Sequence, residues 1–164
     1  MKVVILAGGK GTRLAEETLT KPKPMVEIGE KPILWHIMKH FSHYGFSEFV
    51  IALGYKGHII KEYIMNSARY SEDISVNFET GTINQDSELR PNWKVRLVDT
   101  GIETLTGGRV KRLQNILGKE RFFLTYGDGV ANVDLNKLLN FHEEKACTAT
   151  VTAVHPASRF GSID

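Results

Sequence analysis

The chain has 164 residues, 41% of them hydrophobic, with 21 Lys and Arg against 19 Asp and Glu and a formal charge of +2. That length supports one domain over residues 1–164 around one core, and the composition excludes a disordered segment or a small disulfide scaffold. With so small a charge and no run of Lys or Arg, a nucleic-acid partner is not expected, and any bound anion has to be met locally.

Val3 to Ala7 is a continuous β-branched and aliphatic run, the pattern of a strand buried on both faces. It passes into Gly8-Gly9-Lys10-Gly11-Thr12-Arg13-Leu14, and then into Lys21-Pro22-Lys23-Pro24-Met25, where two prolines predict a stiff, extended segment. Pro32 to Phe41 reads as a helix with proline in its first turn and apolar residues at 34, 37, 38 and 41. Phe49 to Leu53 is a second buried strand, ended by Gly54, and Gly57 to Met65 another helix. Asn66 to Trp93 is polar and turn-rich, alternates clearly only over Ile74 to Phe78, and reads as an insertion over one sheet edge.

Lys94 to Val98 alternates as a half-buried strand, after which Thr106 is placed to cap a helix from Gly107 to about Leu117. Phe122 to Tyr126 reads as a third buried strand, and Asp134 as the cap of a helix whose apolar face is Leu135, Leu138, Leu139 and Phe141. Thr148 to Val154 is expected to be one more strand, with Cys147 a small buried hydrophobe at its entrance. Strands alternating with helices predict an α/β fold: a doubly wound, mainly parallel, Rossmann-like sheet with helices on both faces. One cysteine, an N-terminal apolar run that enters glycines, and no span long enough for a bilayer together predict a cytoplasmic protein and no membrane partner.

In such a sheet, ligands gather outside the carboxyl ends of the strands. The Gly8 to Arg13 loop follows the first strand, and its glycines would let backbone N–H groups approach an anion, with Thr12 as a further donor and Arg13 as a phosphate-matching fork. It is not a P-loop, because Lys10 precedes the last glycine, and not a dinucleotide fingerprint, because Leu14 stands where the third glycine belongs. Lys23 is aimed by its prolines. Asp128, in Tyr126-Gly127-Asp128-Gly129, is a strand-end carboxylate placed to hold Mg2+ beside a triphosphate. His36, His40 and His43 could share one helix face, but no acidic base accompanies them in a metalloprotease pattern.

Leu6 to Leu14 followed by Lys21 to Met25 resembles the signature of the sugar-phosphate nucleotidyltransferases, the sugar-nucleotide pyrophosphorylases. Pro32 to Met38, Gly54 to Gly57, Leu97 to Gly101, Thr106 to Arg109 and Thr125 to Val130 are similar to the branch of that family that uses CTP and glucose 1-phosphate. The resemblance implies that Leu6, Ala7, Gly8, Gly9 and Lys10 line the base and ribose, and Gly11, Thr12 and Arg13 the phosphates. It further implies nucleotide contacts at Lys23, Thr104 and Arg109, a Mg2+ ligand at Asp128, and Arg13, Lys23 and Asp128 as the catalytic set. Arg109 reads as lying in the first turn of its helix, among free amides.

The implied reaction gives CDP-glucose and pyrophosphate, with deoxysugar and surface-polysaccharide synthesis downstream and a homo-oligomer as the assembly. Exposed aromatics in the 66–93 insertion are candidates for that contact. A thymidylyl- or uridylyltransferase is disfavoured by Thr100 to Arg109, and a NAD-binding Rossmann domain by Leu14 and by the lack of a ribose-binding acid after the second strand. Two departures stand out. Glu30 replaces a usual glycine at a turn, and the family continues past Asp164 with a Glu-Lys-Pro motif, the hexose-binding residues and a second metal carboxylate. The fold is therefore expected to be C-terminally incomplete, with nucleotide binding without turnover as the alternative outcome.

Overall fold

The computed structural model describes residues 1–11, 20–70, 74–85 and 91–154. In chain order the elements are β1 (Lys2–Ala7), one 3-10 turn (Lys23–Met25), β2 (Glu27–Ile28), β3 (Lys31–Pro32), α1 (Ile33–His43), β4 (Glu48–Leu53) and α2 (Gly57–Tyr70). Then come β5 (Ile74–Asn77), β6 (Thr82–Gln85), β7 (Lys94–Asp99), α3 (Thr106–Arg112), α4 (Gln114–Leu117), β8 (Phe122–Tyr126) and α5 (Leu135–Lys145). The chain divides into two compact units, Met1–Val130 and Ala131–Asp164.

In the first unit β7, β4, β1 and β8 lie side by side in that order, every pair parallel. Because β1 and β4 sit inside the sheet, both of their faces are covered, and they are buried from Val3 to Ala7 and from Phe49 to Leu53. Alternation divides these residues between two layers. Val4, Leu6, Val50 and Ala52 pack with Leu113 and Leu117, at the join of α3 and α4 and at the end of α4. On the opposite face Phe49 meets Trp93, which meets Trp35 of α1, and Phe41 of α1 meets Phe123 at 5.5 Å between ring centroids. Helices on both faces of a parallel sheet follow, as the alternation of strands and helices predicts.

Helix α1 buries Leu34, Ile37, Met38 and Phe41, the stripe read from its spacing. Pro32, with φ −67° and ψ 154°, stands one residue before the helix as its N-cap. The predicted extended segment is corrected in part: Pro22 is extended, but Lys23–Met25 closes a 3-10 turn, with the Met25 amide donating to Pro22 O at 2.8 Å. Between β2 and β3 the turn is Gly29-Glu30, with φ +65° at Gly29 and no positive φ at Glu30. Only the first central position of such a turn demands glycine, so Glu30 sits where any L-residue fits.

Other expectations are corrected. Phe122–Tyr126 is half-buried rather than buried, with Leu124 47% and Tyr126 62% exposed, since β8 pairs with β1 alone among the described residues. Ile74–Asn77 is half of a hairpin, paired antiparallel with Thr82–Gln85, and Phe78 beside it is 94% exposed. In the second unit Asp134 caps α5, its Oδ1 accepting from the Lys137 amide at 3.0 Å, and Leu135 is buried while Phe141 is exposed. The helix ends on Ala146 in the left-handed region at φ 49°; Cys147 is exposed, and residues 148–154 form no strand. No helix among the described residues is long and apolar enough to cross a membrane.

Candidate functional site

The strand order makes a prediction of its own. Leaving β1, the chain builds β4 and β7 outward on one side and then returns to place β8 on the other, so β1 and β8 flank a topological switch point. Loops leaving such a pair diverge, one to each face, and open a crevice at the carboxyl ends. A cleft of about 280 Å³ lies there. Leu6, Ala7, Gly8, Gly9 and Gly11 line it from β1 and its loop, Tyr126 and Asp128 from β8, Lys23 and Pro24 from the 3-10 turn, and Thr104, Leu105, Thr106 and Arg109 from the start of α3.

Each wall is held by backbone pairing. The Gly127 amide donates to Leu6 O at 2.9 Å and so carries the β1–β8 pairing one residue past the strand; a Cβ on Gly127 would come within 3.0 Å of Leu6 O and of Pro24 Cγ. That closeness brings Lys23 Nζ to 3.6 Å from Asp128 Oδ2, with side chains 22% and 44% exposed. On the other wall the Tyr55 amide donates to Gly8 O at 3.1 Å, tying the β1 loop to the one after β4.

The predicted site residues therefore converge, with distinctions that spacing does not show. Gly9 faces open space, as an anion cradle would require, whereas a Cβ on Gly8 would lie 2.2 Å from Nη1 of Arg109. Gly8 makes room for a side chain of its own protein. Lys10 does not line the cleft, and its ammonium pairs with Glu103 at 2.5 Å. Thr12 and Arg13 lie outside the described residues.

Thr106 is not the cap it was expected to be: Leu105 is the N-cap, no side chain caps the helix, and Thr106 is its first residue, facing the cleft. Arg109, the fourth residue of α3, is not in a turn of free amides, because its own N–H donates to Leu105 O at 2.9 Å.

Arg109 is 5% exposed. Nη1 donates to Leu53 O, Thr100 Oγ1 and Gly101 O at 3.0, 2.7 and 2.8 Å; Nη2 donates to Gly8 O and Ile102 O at 2.8 and 3.2 Å. All five acceptors are neutral oxygens. Burial, and secondarily the charge of Arg112, pull its pKa below the ordinary guanidinium value, while Asp99 opposes the shift.

For a divalent cation the described residues offer Asp128 at the cleft and no cluster of three or more His, Cys, Asp or Glu. A single accessible carboxylate fits Mg2+, which keeps several waters and takes one or two carboxylates together with substrate phosphates. His36 Nε2 lies 2.9 Å from Ile28 O, so the α1 histidine pattern includes a hydrogen bond to backbone. Sequence reasoning missed Pro24, Leu105, Thr106 and Tyr126 as cleft residues; Tyr126 ends β8 next to Gly-Asp-Gly, and that position was its available signal.

Comparison with known proteins identifies the family. A family model described as Nucleotidyl transferase matches residues 2–164. Glucose-1-phosphate cytidylyltransferase of Salmonella typhimurium is 49% identical over 165 residues, covering 100% of this chain and 64% of the relative. The probable glucose-1-phosphate cytidylyltransferase of Bacillus subtilis is 45% identical over 163 residues, covering 99% of this chain and 64% of the relative. The chain thus spans 64% of the length of these curated relatives. Among solved structures, HddC from Yersinia pseudotuberculosis complexed with GMP-PN superposes with a TM-score of 0.64 at 27% identity, covering 86% of this chain and 53% of that one.

Proposed function

The chain belongs to the nucleotidyl transferase family, and from that premise we propose that its cleft takes CTP and transfers the cytidylyl group to glucose 1-phosphate, giving CDP-glucose and pyrophosphate. The observation that carries the choice of substrates is the 49% identity, along the whole chain, to a glucose-1-phosphate cytidylyltransferase. The cleft supports the reading independently, because it lies at the switch point of a parallel sheet and joins an open glycine loop to a cation and a carboxylate.

A phosphate oxygen of glucose 1-phosphate attacks the α-phosphorus of CTP and pyrophosphate leaves, so the bond formed and the bond broken are both P–O. The attacking oxygen is already anionic, and no protein nucleophile is required; the protein aligns the reactants and offsets charge on the leaving group. Gly9 leaves the loop open for the nucleotide to approach the backbone. Lys23 lies on the same wall as Asp128 and turns its ammonium from that carboxylate to the phosphates when nucleotide arrives. Arg13 and Thr12 enter by the family resemblance. Asp128 is the residue that would hold Mg2+, which when bound supplies neutralisation of charge on the phosphate oxygens. Cytoplasmic location, a homo-oligomeric assembly and a place in surface-polysaccharide synthesis belong to the same reading.

The test is to incubate the protein with CTP, UTP, dTTP or ATP, each with glucose 1-phosphate and Mg2+, and to measure pyrophosphate beside thermal stability. Release with CTP and not with the others is expected. Thermal protection by CTP without pyrophosphate would reduce the function of this chain to nucleotide binding, and a preference for UTP or dTTP would overturn the cytidylyl assignment.

A further inference from the structure

We propose that Arg112 is a positioning residue for Thr104: from outside the cleft it pins the bend between β7 and α3, and that bend sets where Thr104 stands in the cleft wall. Arg112 is exposed, ends α3 and does not line the cleft. Its guanidinium reaches back to the bend, where Nη1 donates to Thr100 O at 2.6 Å. The bend is also held from inside, the Gly101 amide donating to Asp99 Oδ1 at 2.8 Å and the Thr100 amide to Leu53 O at 2.9 Å.

Two glycines record how closely these parts fit. Gly101 turns the chain with φ +83°, and a Cβ there would fall 2.5 Å from Arg112 Nη1 and 2.9 Å from Thr104 Oγ1. The guanidinium and the Thr104 hydroxyl thus close on the same bare α-carbon. The Thr104 methyl in turn lies 2.9 Å from where a Cβ on Gly108 would stand. Gly108 has no positive φ, so its backbone does not call for glycine, and its missing side chain is room that Thr104 uses. Of these residues Thr104 alone lines the cleft; Gly101, Gly108 and Arg112 stand behind it. The charge of Arg112 is felt at Arg109, whose pKa it helps to lower, so attraction of phosphates by that charge is the rival duty to be separated. The role in binding rests on the cleft being the nucleotide site, whereas the placement of Thr104 does not.

Two experiments separate those claims. In the first, without nucleotide, the Thr104 χ1 angle is read by NMR from couplings of its isotope-labelled methyl. Wild type is expected to hold one rotamer, Arg112→Met to average several, and Arg112→Lys to restore the single rotamer, because one ammonium proton can replace the one bond to Thr100 O. Averaging already in wild type, or an unchanged single rotamer in Arg112→Met, would overturn the positioning role whatever the protein binds.

In the second, CTP and cytidine are titrated on the same variants. Arg112→Met should weaken both ligands by the same factor, about three- to tenfold, and Arg112→Lys should recover most of the loss. In a Thr104→Ala background Arg112→Met should add little, since the group it places is gone. Gly108→Ala, which favours the helix and should not lower Tm, should nevertheless weaken cytidine by crowding the Thr104 methyl. A loss confined to CTP, or a shallower salt dependence of CTP binding, would show that the phosphates feel the charge of Arg112 directly. Additive losses with Thr104→Ala would show that Arg112 acts elsewhere, and full cytidine affinity in Gly108→Ala would show that the seat of Thr104 does not matter. Each of these results overturns the proposal, whereas failure of wild type to bind CTP would overturn the proposed function and leave the rotamer measurement to decide the part played by Arg112.

Discussion

Replacing Lys23 by Met removes the ammonium that faces Asp128 while keeping most of the stem that packs beside Pro24. At 3.6 Å two unit charges attract by about 1 kcal/mol in water and about 5 kcal/mol at an effective dielectric constant of about 20. The side chains are 22% and 44% exposed, which places the pair toward the watery limit, so folding stability should fall by less than about 1 kcal/mol. Ligand binding is another matter, because a charge-assisted hydrogen bond to phosphate contributes about 1.5–3 kcal/mol, or about 10- to 150-fold in Kd. The substitution also leaves Asp128 as an unopposed negative charge beside the phosphates. Lys23→Met should therefore weaken CTP by at least tenfold, weaken cytidine hardly at all, and make CTP binding depend more steeply on Mg2+.

The assay is calorimetric titration of CTP and cytidine with and without Mg2+, beside urea denaturation. Lys21→Met is the control, since Lys21 pairs with Glu27 at 3.1 Å and does not line the cleft. Equal losses of CTP affinity in both variants would show that general charge, not the placement of Lys23, is at work. An unchanged CTP affinity in Lys23→Met would refute the phosphate role outright.

Three further predictions concern the frame of the molecule. Leu113→Ala empties a fully buried position against Val4, Leu6, Val50 and Ala52, and should cost about 2–5 kcal/mol in urea denaturation; a loss below about 1 kcal/mol would mean that this layer repacks freely. Asp134→Ala removes the α5 cap and should cost about 1 kcal/mol, whereas Asp134→Asn, which can still accept from the Lys137 amide, should retain most of it; equal losses would deny the cap. At the far end of the sheet the Lys2–Glu120 pair, at 2.6 Å, holds the carboxyl below and the ammonium above their ordinary values, each chiefly through the hydrogen bond between them. A lowered carboxyl pKa stabilises above its unfolded value and is lost as pH falls through the folded one; a raised ammonium pKa stabilises below its unfolded value and is lost as pH rises through the folded one. The Tm difference between wild type and Glu120→Gln should thus be constant between about pH 6 and 9 and shrink toward about pH 3, and a difference unchanged at acid pH would contradict it.

What could be read from the chain was local. The stripe at 34, 37, 38 and 41, the cap at Asp134 and the unbroken apolar runs of β1 and β4 each depend on neighbours within a few residues, and all appear in the fold. Thr106 misled because a hydroxyl before an apolar run is a sound capping signal, yet the helix begins on Thr106 itself and directs that residue to the cleft. Residues 148–154 carry strand propensity without a paired neighbour among the described residues, and propensity alone does not make a strand. Gly8 is the instructive case. A glycine after a strand suggests room for a ligand, but the group it admits is Arg109, 101 positions later, and nothing near Gly8 announces it.

Two cations line the cleft, and they are held differently. Lys23 is half-buried on a 3-10 turn, faces a carboxylate it can exchange for phosphate, and carries a flexible stem, so its charge is available to a ligand. Arg109 is buried at the start of α3, where its guanidinium lines the cleft and already donates to neutral oxygens of the protein. Exchanging the two residue types should therefore have unequal effects: Lys23→Arg keeps a cation at the mouth and should retain much of the CTP affinity, while Arg109→Lys loses the planar fork that meets several oxygens at once and should weaken CTP by more. Titration of CTP on both variants decides it, and a Lys23→Arg loss as large as that of Arg109→Lys would refute the reasoning.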